Sequence, residues 1–113
     1  MTGITDLKNI EEFENYIRIN EAALIYFSHE ECNVCKVLKP KVKELIETQF
    51  EKIKMAYSDT VLYPDVAGQN SIFTVPTILV FLDGREYIRK SRNIGIEELS
   101  NLIERPYNMM FED

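Results

Sequence analysis

A chain of 113 residues with 45% hydrophobic side chains has material for one packed core and none for a second, so residues 1–113 are expected to form a single domain. The formal charge is −6, from 19 acidic against 13 basic residues spread along the chain; there is no basic stripe, and a nucleic-acid surface is not expected. No apolar run approaches the ~18 residues of a membrane helix, and Met1-Thr2-Gly3-Ile4-Thr5-Asp6 lacks the basic-then-apolar order of a secretory leader, so the expected location is cytoplasmic, away from the membrane.

In chain order, Thr5 to Asn20 reads as an amphipathic helix. Leu7, Ile10, Phe13 and Ile17 recur at helical spacing with Glu11, Glu12 and Glu14 between them, and Thr5 or Asp6 is placed to cap it. Ala22 to Phe27 is an unbroken apolar run, the pattern of a strand buried on both faces. Ser28-His29-Glu30-Glu31 breaks that run. Cys32 to about Phe50 is helical, with Val34, Val37, Leu38, Val42, Leu45 and Ile46 as its apolar set and Pro40 inside it. Ile53 to Ser58 reads as a strand, and Thr60 to Ser71 as a short helix between loops. Thr77 to Leu82 is the clearest strand, Asp83-Gly84 a hairpin turn, and Glu86 to Arg92 a polar returning strand at an edge. Ile96 to Arg105 closes the chain as a helix with Leu99, Leu102 and Ile103 facing inward, ended by Pro106. Tyr107 to Asp113 either packs or trails. The order α-β-α-β-α-β-β-α implies a parallel crossover early and an antiparallel pair late, hence an α/β fold with one mixed sheet and helices on its faces.

The two cysteines of the chain are Cys32 and Cys35. Two cysteines in a chain able to build its own core are not a disulfide framework; their spacing, at the junction of a strand and a helix, is the informative feature. Cys32 is expected beside the unpaired N–H groups and the positive end of the helix dipole, which favour a thiolate with a pKa below about 8.5. Lys36 adds favourable charge, whereas Glu30 and Glu31 oppose it. His29 either tunes the same thiolate or is a solvated loop residue. Cys35, about one turn deeper, is placed to attack a mixed disulfide on Cys32. Two bland readings stand beside this one. The pair is buried structural sulfur, or it joins His29 in a metal site, which would still lack the fourth ligand of a closed zinc centre; no metal is expected.

Three features in register resemble the thioredoxin family. They are a strand followed by C-x-x-C-K at a helix start (Cys32 to Lys36), Pro40 five residues after the second cysteine, and Val75-Pro76-Thr77 opening the apolar strand that runs to Asp83-Gly84. The resemblance covers Ala22 to about Ile103. It implies a thioredoxin-like fold, a central mixed sheet flanked by helices on both faces, and thiol–disulfide exchange through Cys32 and Cys35. It also implies a cis Pro76 lying against the cysteine pair, with the Val75 backbone pairing with bound substrate as a strand would. No cofactor is called for. The implied substrates are protein or small-molecule disulfides and thiols, with electrons from a reductase or a low-molecular-weight thiol.

Several positions depart from the family pattern. Glu31 stands where thioredoxins carry Trp, Tyr26 where they bury an Asp, Arg92 where they carry Gly, and Asn33-Val34 where they carry Gly-Pro; the lysine that accompanies the Asp has no obvious counterpart near Met55. These changes point to an oxidoreductase specialised in its partner. The competing reading is a thioredoxin-fold binding or redox-sensing adaptor without general reductase activity.

Overall fold

The computed structural model describes residues 4–111. Its elements are β1 (Thr5–Asp6), α1 (Ile10–Ile19), β2 (Ala22–Ser28), α2 (Asn33–Gln49), β3 (Lys54–Asp59), α3 (Pro64–Gln69), β4 (Thr77–Leu82), β5 (Arg85–Ser91) and α4 (Ile96–Phe111). The five strands form one sheet in the order β1-β3-β2-β4-β5. β3 runs parallel to both β1 and β2, while β4 is antiparallel to β2 and β5.

The unbroken apolar run of β2 follows from its place. It is the middle strand, and all seven of its residues are buried. Because side chains alternate across a strand, Leu24 and Tyr26 enter one core with Leu38, Val42, Ile78, Val80, Leu99 and Ile103. Ala23, Ile25 and Phe27 enter the other, with Phe13, Ile17, Val66, Leu79 and Phe81. Helices α2 and α4 therefore cover one face, and α1 and α3 the other.

Both ends of the chain correct the expectations drawn from sequence. Thr5 and Asp6 do not begin or cap a helix; they pair with Ala56 and Tyr57 of β3 as an edge strand. Helix α1 is capped at Asn9, whose Oδ1 accepts from the Glu12 N–H at 2.8 Å while Glu12 Oε1 accepts from the Lys8 N–H at 2.9 Å. That reciprocal cap satisfies first-turn donors and fixes the start one turn later than apolar spacing suggests. Leu7, counted as a helical position, is buried in the connection and donates its N–H to the Tyr57 carbonyl at 2.8 Å.

At the other end Pro106 does not stop α4, which continues to Phe111. The bond lost at Pro106 falls on the Leu102 carbonyl, on a residue that is 41% exposed and not inward as expected, so water can serve that oxygen. Packing holds the extra turn. Tyr107 meets Phe50 edge-on at 5.0 Å and Phe111 at 4.9 Å, and its hydroxyl accepts from the Lys52 N–H. Tyr107 to Phe111 thus pack as helix. Glu112 and Asp113, like Met1 to Gly3, lie outside the described residues.

The register brings the ends of β2, β3 and β5 and the start of β4 to one end of the sheet. Ser28 pairs with Asp59 at the ends of the parallel strands, Phe27 pairs with Thr77 at the start of β4, and Thr77 pairs with Ser91 at the end of β5. The loops leaving these positions, together with the first turn of α2, hold His29, Glu31, Cys32, Cys35, Lys36, Val75 and Pro76.

Candidate functional site

Cys32 is the N-cap of α2. Its backbone N–H donates to the His29 carbonyl at 3.2 Å, and the His29 ring is engaged in the same turn, Nδ1 accepting from the Glu31 N–H at 3.2 Å. A helix start leaves N–H groups without intrahelical partners. One of these, on Cys35, points at Cys32 Sγ at 3.2 Å, where a capping serine oxygen would sit. The two sulfurs are joined in a disulfide with their Cα atoms 5.2 Å apart. Cys35 is buried and Cys32 half-buried, so the sulfur that a partner can reach is the one at the cap. The first turn of α2 carries no acidic residue; Glu30, Glu31 and Lys36 are exposed around it. Among the described residues no three His, Cys, Asp or Glu side chains converge as metal ligands would.

The inner wall beneath the pair is aromatic. Tyr26, fully buried, donates its hydroxyl to the Cys35 carbonyl at 2.8 Å. Pro40 removes the donor that the neighbouring Lys36 carbonyl would use, so side-chain donation here supports a weakened stretch of α2. Tyr57 lies beside Tyr26 in the parallel register, rings stacked at 6.4 Å. Ser28 Oγ donates to the Tyr57 oxygen at 3.3 Å, and Lys39 Nζ sits 3.9 Å above the Tyr57 ring, a cation–π contact.

Burial, with a smaller contribution from Tyr57, pushes the Tyr26 phenol well above its ordinary value. Burial also raises Tyr57, against the donation from Ser28 and with the negative charges of Asp59, Glu30 and Asp6. A phenol held protonated and donating to a carbonyl cannot take a proton from Cys35. Tyr26 therefore does not replace the base that a carboxylate would supply there. Tyr57, Lys39 and Ser28 were not found by sequence reasoning, which looked for a charged partner near Met55. Met55 pairs with Leu24, and Tyr57 with Tyr26; matching the two parallel strands from their C-terminal ends would have shown it.

The outer rim begins at Val75-Pro76, whose peptide bond is cis. Pro76 is buried and Val75 half-buried, and Val75 packs against the same core cluster as Cys32 and Cys35. Thr77 Oγ1 ties this loop down, reaching the Thr74 carbonyl at 2.7 Å and Ser91 Oγ at 2.9 Å. The Pro76 carbonyl accepts from the Arg92 N–H at 2.8 Å. Val34 and Val37, expected in the apolar face of α2, are instead 65% and 61% exposed beside the pair, and Phe73 is 88% exposed. A depression of about 1000 Å³ between α1, α2 and the β1–β3 edge contains neither cysteine.

The thioredoxin family model matches residues 5–105. The chain is 33% identical over 109 residues to the thioredoxin-like protein YdfQ of Bacillus subtilis, covering 96% of each chain. It is 31% identical to mitochondrial thioredoxin-3 of Saccharomyces cerevisiae, over 74% of this chain and 65% of that one. The crystal structure of oxidised yeast mitochondrial thioredoxin 3 superposes with a TM-score of 0.79 at 26% identity, covering 87% of this chain and 91% of that one.

Proposed function

The chain belongs to the thioredoxin family and is a thiol–disulfide oxidoreductase, and on that premise we propose that Cys32 is its nucleophile, Cys35 its resolving thiol, and Val75-Pro76 its substrate-binding edge. The carrying observation is the Cys35 N–H directed at Cys32 Sγ at a helix N-terminus. Once the pair is reduced, that donor and the helix dipole favour the Cys32 thiolate.

The reaction balances as follows. The Cys32 thiolate attacks one sulfur of a substrate disulfide and expels the other as a thiolate, forming a mixed disulfide. Cys35 gives up its proton to solvent and attacks Cys32 Sγ, expelling the second substrate thiolate. Two electrons have moved to the substrate, and the protein is left with the Cys32–Cys35 bond seen here. A reductase or a low-molecular-weight thiol restores the dithiol. Burial of Cys35 under Cys32 supports the division of labour. The half-exposed Val75 backbone, fixed by Thr77 and Arg92, supports strand-like pairing with an extended substrate. Lys36, Glu31 and His29 act on the thiolate through charge and through the turn that presents Cys32.

Residues 1–113 act as one unit in this reading, and a cytoplasmic location fits a chain whose two cysteines serve chemistry and not stapling. Purified protein should reduce insulin disulfides with dithiothreitol as electron source, and Cys32→Ser should abolish that activity. Wild type indistinguishable from the protein-free blank would defeat the assignment.

A further inference from the structure

Beside the cysteine pair runs a groove of about 570 Å³ whose walls come from α2 and from the turn between β5 and α4. Its apolar lining is Val34, Val37, Leu38 and Ile94, and its charged lining is Lys41 and Arg92. Resting on the assignment of Cys32–Cys35 as the exchange site, we propose that this groove selects polypeptide disulfides in which an apolar residue and an acidic residue lie next to the half-cystine.

Charge is the first reason. The chain carries six more acidic than basic residues, yet no Asp or Glu lines the groove. Three cations elsewhere on the molecule are neutralised by ion pairs, Lys43 by Glu47, Arg89 by Glu86 and Lys90 by Glu98. Lys41 and Arg92 make no ion pair among the described residues. Glu30 and Glu31 precede Cys32 and do not line the groove.

Backbone conformation is the second reason. Arg92 has φ of +68°, a region that a side chain disfavours and glycine adopts freely. Packing does not demand the side chain, which is exposed. The chain thus carries a long cation at a position whose backbone glycine would adopt with less strain. Its root is fixed to the substrate edge, because the Arg92 N–H is held by the Pro76 carbonyl.

The apolar lining calls for a non-polar side chain next to the acid. The breadth of the exposed apolar surface favours a polypeptide over a small disulfide. Phe73 stands just before Val75-Pro76, and Val61 and Leu62 follow β3 at the same end of the sheet, all exposed.

The test uses the full chain and two disulfide-linked peptides identical except for Glu-Leu or Lys-Leu beside the half-cystine. The quantity read is the ratio of their kcat/KM values, with dithiothreitol recycling the protein. Two exposed cation–carboxylate contacts predict a preference of about fivefold for the acidic peptide at low salt, falling towards one at high salt. The double variant Lys41→Glu with Arg92→Glu should invert the ratio. Arg92→Gly should lower it while melting no lower than wild type, which separates lost recognition from lost folding. Equal rates on both peptides, with insulin reduction intact, would overturn the inference and leave the exchange assignment standing. So would a preference unmoved by these variants. Loss of insulin reduction in wild type would remove the exchange assignment and this inference with it. The same preference shown towards a small acidic disulfide over its neutral counterpart would overturn the choice of a polypeptide.

Discussion

On the inner side of the Cys32–Cys35 disulfide, Tyr26 is fully buried, its hydroxyl committed to the Cys35 carbonyl, with Tyr57, Ser28 and Lys39 closing the wall behind it. On the outer side, Val34, Val37 and Phe73 stand in solvent and Lys41 and Arg92 line an open groove. Replacements on the inner side meet a packed, hydrogen-bonded interior and must act through stability. Replacements on the outer side meet water and must act through partner choice. A chain can therefore change its clients without rebuilding the part that holds Cys35.

The largest break in that comparison comes from removing the inner wall. Tyr26→Ala should cost about 3–5 kcal/mol in denaturant unfolding, through loss of a buried ring and the cavity it leaves. Tyr26→Phe keeps the ring and removes only the donor to Cys35, so the cost should fall to about 1–2 kcal/mol. If the two variants were equally destabilised, the hydroxyl and not the ring would dominate, and the packing account would be wrong.

Alkaline pH probes the same wall without mutation. Tyr26 and Tyr57 keep their protons above the ordinary value of 10.0, mainly because burial penalises the phenolate. The unfolded chain releases those protons near pH 10, so their contribution is full below that pH and is lost as pH rises through the folded-state values. Urea midpoints should fall above pH 10, less steeply in Tyr26→Phe than in wild type. Parallel curves would mean that Tyr26 titrates normally.

The smallest effect belongs to the outer rim and has the opposite sign. Arg92→Gly relieves a left-handed residue and should raise stability by about 0.5 kcal/mol, net of the greater freedom that glycine brings to the unfolded chain. A clear loss of stability would show that the Arg92 side chain supports the fold, and would blur the line between the two sides.

Much of the scaffold was legible because it depends on pattern. β2 reads from its apolar run and β4 from the stretch between Pro76 and Asp83-Gly84. The cysteine pair and Val75-Pro76 read from spacing and order. What failed to read depends on neighbours distant in sequence. The start of α1 is set by Asn9 and Glu12 and by β3 claiming Thr5 and Asp6. The end of α4 is set by Phe50 and Lys52 meeting Tyr107 across the core, which outweighs the helix-stopping tendency of Pro106. Tyr57 became part of the site through strand register; Arg92 was legible as a departure from the family's Gly, but its positive φ was not.

The division of roles between the sulfurs is most directly tested by trapping. Cys35→Ser protein incubated with a disulfide substrate should accumulate a mixed disulfide on Cys32, located by mass spectrometry of the digested adduct. Cys32→Ser should yield little adduct under the same conditions, since Cys35 is buried beneath the cap. An adduct forming on Cys35 as quickly as on Cys32 would contradict the account.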